Sequence, residues 1–259
     1  MAMYEGESPF AEFFDKEELS DFTVNINGHK FAVHKIVLAS QSQSFREKFC
    51  SDKLKDPVPD DVHIFVSKLP RTFEFDRQAL YGLIGWCYGR VLIGETTFSD
   101  LTAGTDKAYF GHHKVEHLRY IADLFVTAKK YKAPLLEKHA RDNFPLVMQQ
   151  YVNASQEDLK DPNLATGVVG NLECIAEGVY KRHRDDAKEL RPAVAKAVRS
   201  CKERLAHIEE FKKLMVRIPK LCFDVMVPPE ELPLSPVPEG RPGKKRRREV
   251  ESESDLDSE

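Results

Sequence analysis

The sequence has little cysteine, a single tryptophan and no long apolar run. Its five cysteines (Cys50, Cys87, Cys174, Cys201 and Cys222) are scattered, odd in number and without a CxxC spacing. They suggest no pairing and read as reduced, buried thiols of an intracellular protein. No stretch approaches the roughly 20 apolar residues that span a bilayer. No basic segment leads an apolar core at the N-terminus. A soluble protein of cytosol or nucleus, with no membrane partner, is expected. The signatures GxSxG and HExxH are missing. Gly82-Leu83-Ile84-Gly85 falls in an apolar helical stretch and not in a phosphate-cradling loop. Neither an enzyme nor a cofactor is expected. The net charge of -3 is too small to imply a partner of opposite sign.

What is present begins with Ser20 to Phe49. Phe22, Val24 and Ile26 alternate with Thr23 and Asn25, the period of a half-buried strand. Asn27-Gly28 tolerates the positive φ of a tight type I′ turn, and Phe31 and Val33 alternate along a returning strand. After His34 the run Ile36-Val37-Leu38-Ala39 is too crowded for a one-faced strand and predicts a largely buried helix. Ser44-x-x-Glu47 has the form of a capping box, predicting a second helix that carries Phe45 and Phe49. Prolines and aspartates mark 51–61 as a loop. Val62, Ile64 and Val66 then alternate as a third strand. Asp76 is placed to cap a helix through Ala79, Leu80, Leu83, Ile84, Trp86 and Cys87. That helix is nearly apolar all round, hence central, and Gly89 is its natural stop. Val91-Leu92-Ile93 predicts a short strand. From Gly94 to Lys114 the periodicity disappears, over a length that in compact domains is usually functional or disordered.

Ser20-Asp21-Phe22, the Asn27-Gly28 turn, Phe31-x-Val33-His34-Lys35-x-Val37-Leu38-Ala39-Ser40 and Phe45 resemble the opening of a BTB/POZ domain. The similarity continues more weakly to about Asn143, and the layout resembles the BTB proteins of filamentous fungi. The resemblance implies an α+β fold, a short β-sheet with a cluster of helices. It also implies a non-catalytic protein-interaction module, often a dimer. An acid and a base matching Asp21 and Lys35 lie together near the dimer groove of many BTB domains. With His34 they are the suspected interface residues. Read from the residues alone, Asp21 and Lys35 are equally a fold-stabilising pair, or Asp21 caps local backbone; His34 is a packed or hydrogen-bonded residue of the motif. Two departures stand out. The family often reads Tyr-Thr-Gly where this chain has Tyr88-Gly89, and it generally crosses the Gly94–Lys114 region in fewer residues. Met1 to Leu19, acidic and aromatic, reads as a short docking helix or a frayed end. It does not clearly offer the strand that dimerising BTB domains often swap.

From Glu116 the helical period returns, with Leu118, Ile121, Phe125 and Ala128 on one face and Leu124 beside them. Lys129, Lys130 and Lys132 suit the end of that helix, and Pro134 suits the first position of the next. Phe144-Pro145 opens a second region. It carries a helix from Asn163 to Tyr180, a long helix from Leu190-Arg191-Pro192 to about Val216, and a short apolar end from Leu221 to Val227. Val179-Tyr180, Leu190-Arg191 and Phe211-x-x-Leu214 resemble the helical tail that follows the domain in fungal BTB proteins. Val194, Val198, Cys201, Leu205, Ile208 and Met215 step like a coiled-coil seam, or like one helix packing on its own domain.

His113 and His117, four apart, with His112 and Glu116 nearby, supply two convergent ligands where zinc needs three or four, so no metal site is assigned. From Pro228 prolines dominate and a disordered tail is expected. Its run Lys244-Lys245-Arg246-Arg247-Arg248 reads as a nuclear-import signal. Gly240-Arg241-Pro242 resembles the centre of an AT-hook, but Glu239 replaces the arginine of that pattern and opposes phosphate contact. DNA is therefore not the expected partner. Acidic residues from Glu249 to Glu259 follow, alternating with serines. Ser252 and Ser254 each have an acid three residues on, as acidophilic kinases favour. A merely solubilising charged end is the alternative.

The expected organisation is an N-terminal segment (1–19), a BTB/POZ-like domain (20–143, with the insertion at 94–114), a helical extension (144–227) and a tail (228–259). The expected function is a scaffold or adaptor that binds protein partners, including a second copy of itself. Its compartment is the nucleus, with the cytoplasm as alternative. One competing role is the substrate adaptor of a cullin ubiquitin ligase. That role is weakened because Leu54-Lys55-Asp56 and Val58-Pro59-Asp60 only approach the apolar-x-Glu motif of such adaptors. Another is a transcription or chromatin regulator using the basic tail, for which no DNA-reading module is present.

Overall fold

The computed structural model describes residues 10–26, 29–50, 74–89 and 114–227. The expected Asn27-Gly28 turn, the strands at 62–66 and 91–93, the tail, and the insertion apart from Lys114 lie outside the described residues. An antiparallel hairpin opens the fold, with β1 at Phe22–Ile26 and β2 at His29–Val33. Phe22 pairs with Val33, Val24 with Phe31 and Ile26 with His29. The period-2 pattern of β1 is realised, since Phe22, Val24 and Ile26 are buried while Thr23 and Asn25 are not.

Two short helices follow, α1 at Lys35–Gln41 and α2 at Gln43–Phe49. The capping box expected at Ser44 is displaced by two residues. Ser42, fully buried, caps α2 by accepting the Phe45 N–H at 3.3 Å and donates its own hydroxyl to the Tyr131 carbonyl at 2.6 Å. Glu47 instead turns to Lys132, 3.0 Å away, whose ammonium holds its carboxyl below the usual range. Helix α1 is also less buried than its apolar run suggests. Val37 and Leu38 go inward, but Ile36 is 76% exposed. One residue is a step of about 100° around a helix, so a single core cannot take all three.

Helix α3, Glu74–Cys87, begins before Asp76, which therefore lies in its first turn and not at its cap. It ends as expected, with Gly89 at φ 77° donating its N–H to the Trp86 carbonyl at 2.8 Å. Helix α4, Lys114–Lys130, turns sharply at Tyr131-Lys132 into α5, Pro134–Ala154. Helix α5 runs unbroken through Phe144-Pro145, so no change of secondary structure marks the start of a second region there.

Helix α4 organises the interior. Tyr120, Leu124 and Ala128 enter a first core with Phe22, Val24, Leu38, Phe45, Leu80 and Leu83. Leu118, Ile121, Ala122 and Phe125 enter a second core with Phe144, Leu172, Val198 and Leu214. Ala128 thus joins the opposite face from the one the sequence pattern suggested. With both faces buried, α4 is the wall the two cores share.

The second core is drawn from helices and the short turns between them. Helix α6 spans Pro162–Ala176, capped by Asp161, whose Oδ1 accepts the Asn163 N–H at 2.8 Å. It then widens into a π-helical turn, Glu177–Arg182. The single long helix expected after Leu190 is two, α7 at Arg191–Leu205 and α8 at Glu209–Arg217, followed by α9 at Pro219–Met226. Ile208 breaks the run with extended backbone, and its N–H bonds to the Leu205 carbonyl at 2.9 Å. The break folds both halves of the apolar stripe into one core, which excludes a continuous coiled-coil seam. Tyr180 and Arg191 meet, the guanidinium 5.2 Å from the ring centroid, and the Tyr180 hydroxyl donates to Asp224 at 3.0 Å. An ionic seam ties this core to α4 and α5. Asp123, 3% exposed, pairs with His183 and with Arg182 at 3.6 Å, while Glu189 joins Lys129 at 3.0 Å and Arg141 at 3.7 Å.

The one tryptophan reports on α5. The Trp86 ring lies 4.8 Å from that of His139, and burial holds His139 below its ordinary value of 6.5. A histidine depressed by folding binds fewer protons folded than unfolded in the window just below pH 6.5. Its contribution is therefore lost as pH falls through that window. The urea midpoint, followed by Trp86 fluorescence, is expected to fall from pH 7 to pH 5 by more than it does in His139→Gln.

Candidate interaction surface

The sequence-flagged residues Asp21, His34 and Lys35 come together where β2 passes into α1. His34 is the N-cap of α1 but makes no side-chain cap bond. Asp21 supplies it from the neighbouring strand: its Oδ1 accepts the Lys35 backbone N–H at 2.8 Å. A carboxylate there also faces the positive end of the helix. The Asp21 N–H in turn donates to the Val33 carbonyl at 3.3 Å. The Lys35 ammonium lies 5.7 Å from the centroid of the Phe22 ring. The Asp21–Lys35 link is thus a backbone cap. Asp21→Ala is expected to cost about 1 kcal/mol, whereas Asp21→Asn, which keeps an acceptor, costs a few tenths; thermal unfolding of both checks this.

His34 is locked into one tautomer. Its Nε2–H donates to the Glu18 carbonyl at 3.1 Å, so Nδ1 accepts from the Tyr88 hydroxyl at 2.9 Å. The same Tyr88 oxygen accepts the His34 backbone N–H at 2.7 Å. Tyr88 is fully buried, and burial pushes its phenol up to about 12. Phe14, also buried, meets Tyr88 edge-on at 5.4 Å. The residues before β1 are therefore anchored on the domain through Phe14 and Glu18. Asp15 adds to this, its Oδ1 accepting the Ala32 N–H at 3.2 Å.

Two exposed apolar residues flank these in the chain, and one of them, Ile36, is expected from the sequence to be buried. Leu19 is 77% exposed and Ile36 76% exposed. Leu19 stands two residues before Asp21, and Ile36 directly follows Lys35, so each is a near chain neighbour of the Asp21–Lys35 hydrogen bond. Leu19 also has φ 59°, a left-handed conformation a leucine adopts only when its surroundings impose it. Here Ser20 imposes it, bonding to the Glu17 carbonyl through its N–H at 3.1 Å and its hydroxyl at 3.0 Å. The available signal was that Ile36 falls outside the phase of Val37 and Leu38.

Helix α4 holds His117, while His112 and His113 lie outside the described residues. No group of three or more metal-ligating side chains occurs among the described residues. Nor, among them, is any helix long and apolar enough to cross a membrane. Cys87 is buried, and burial raises its thiol to about 12. The import run and Ser252 and Ser254 lie outside the described residues.

Comparison with known proteins bears on the same stretch. Residues 10–69 match the family model for the BTB/POZ domain. A segment of 45 residues is 49% identical to BTB/POZ and MATH domain-containing protein 5 of Arabidopsis thaliana, covering 17% of this chain and 11% of that protein. The chain thus matches only a small part of that relative. Residues 10–69, which include the hairpin, its Asp21 cap and the two helices after it, are thus similar to a BTB/POZ domain, a kind of protein-interaction module.

Proposed function

We propose that the protein is a scaffold or adaptor that associates with a second copy of itself through the Leu19–Asp21–Lys35–Ile36 surface. The observation that carries this is the exposure of two large apolar side chains beside an anchored, hydrogen-bonded frame. Single exposed apolar residues are ordinary, but one held exposed in a left-handed backbone is not. Co-expression of two differently tagged copies tests the reading. Retention of the second tag through purification supports it, and its loss speaks against it.

The helices after residue 144 form an extension that meets a further protein partner, in the manner of the fungal BTB proteins the sequence resembles. The run Lys244 to Arg248 directs the chain to the nucleus, with Ser252 and Ser254 as phosphorylation sites beside it. A reporter fused to the full chain is expected to become cytoplasmic when these basic residues are changed to Ala. The cullin-adaptor and chromatin roles remain the competing readings. Capture of a purified cullin, or salt-dependent binding to AT-rich DNA, would favour one or the other.

A further inference from the structure

The end of the described chain forms a surface of mixed cationic and apolar character. Phe223 is 48% exposed and Met226 58% exposed on α9. Cations surround them. Lys220 lies 4.7 Å from the Phe223 ring centroid, and the Lys202 ammonium is 3.3 Å from the Met226 sulfur. Arg199 donates to the Asp224 carbonyl at 2.7 Å and to the Val225 carbonyl at 3.0 Å, capping the end of α9. Lys196 stands exposed one turn before Arg199 on α7. The one carboxylate on α9, Asp224, is engaged by Tyr180 and by Lys220 at 3.1 Å. Glu203, exposed on α7, is the other nearby acid.

We infer that this surface is the seat of the chain's own acidic terminus, residues 249–259. That segment carries Glu249, Glu251, Glu253, Asp255, Asp257 and Glu259, with Val250 and Leu256 among them. Its charge complements Lys196 and Lys202. Its two apolar residues find in Phe223 and Met226 a partner that the adjacent basic run does not offer. The 21 residues 228–248 separate Val227 from Glu249, a reach of up to about 70 Å. A tether of that order keeps a segment at an effective concentration in the millimolar range, so a weak site suffices. Seating the acids on α7 and α9 withdraws their charge from Lys244 to Arg248. The inference does not depend on self-association through Leu19 and Ile36.

The test uses the full chain with its methionine methyl groups labelled with carbon-13. The Met226 signal is assigned by Met226→Leu. The expected result is that changing the six acids of 249–259 to Gln or Asn moves the Met226 signal. Raising salt from about 0.05 M to about 0.5 M moves the unaltered chain toward the same position, because exposed charge pairs are screened. Lys196→Glu with Lys202→Glu produces the same displaced state, which the neutralised tail then no longer changes. A Met226 signal indifferent to tail neutralisation overturns the inference. A response to neutralisation that survives the two lysine changes also overturns it, by placing the tail elsewhere. The signals of the other methionines show whether the variants are folded.

Discussion

Gly82→Leu is expected to unfold or severely destabilise the domain. Gly82 lies in α3 where that helix crosses α4, and a Cβ there would stand 2.2 Å from the Tyr120 hydroxyl oxygen, 3.2 Å from its Cζ and 3.1 Å from Leu124 Cδ1. Tyr120 is 3% exposed and Leu124 fully buried, so neither can swing into solvent. Overpacking of this kind costs about 1–3 kcal/mol, and leucine adds three further carbons beyond the Cβ. Gly82→Ala is the finer test. Alanine returns about 1 kcal/mol of helix propensity, so a net loss of stability measures the clash itself. Tyr120→Phe removes the nearest atom, and the pair Gly82→Ala with Tyr120→Phe is expected to show a favourable coupling of about 1 kcal/mol in a double-mutant cycle. Urea denaturation of the four proteins provides it. Additive losses would mean that the helices separate freely and that the glycine is not what sets their approach.

Ile36→Glu is expected to weaken self-association by roughly thirtyfold or more, corresponding to about 2 kcal/mol at the centre of an interface. Stability should hardly change, because Ile36 is 76% exposed and contributes little to the core. Leu19→Gly separates surface from strain. Glycine accepts φ 59° without penalty, so this change is expected to leave the fold as stable or slightly more so, while removing apolar contact area from the association. A loss of folding in either variant would mean that these side chains serve the monomer instead.

Much of the first core was legible because its chemistry is local. The alternation of Phe22, Val24 and Ile26 dictates the strand, and the left-handed Gly89 ends α3 where its position in the sequence implies. The errors arose where a distant partner decides. Ser42 prevailed over Ser44 as the cap because the Tyr131 carbonyl, far along the chain, accepts its hydroxyl. Asp21 and Lys35 were visible as a pair, yet only the fold shows that the link runs to a backbone N–H and not to the ammonium. The two-sided burial of α4 and the break at Ile208 depend on where the second core lies, and periodicity carries no such information. Ile36 illustrates the reverse limit. An apolar residue in an apolar run reads as core until a short helix is seen to have a single inward face.

The central claim, that the exposed Leu19 and Ile36 are a homotypic surface, is tested most directly by the mass of the full chain in solution across a concentration series. Light scattering after gel filtration is the measurement. The mass should approach twice the monomer's 29.6 kDa as concentration rises, and Ile36→Glu should hold it at the monomer value over the same range. A monomer at every concentration would contradict the account and leave these two side chains to a different protein.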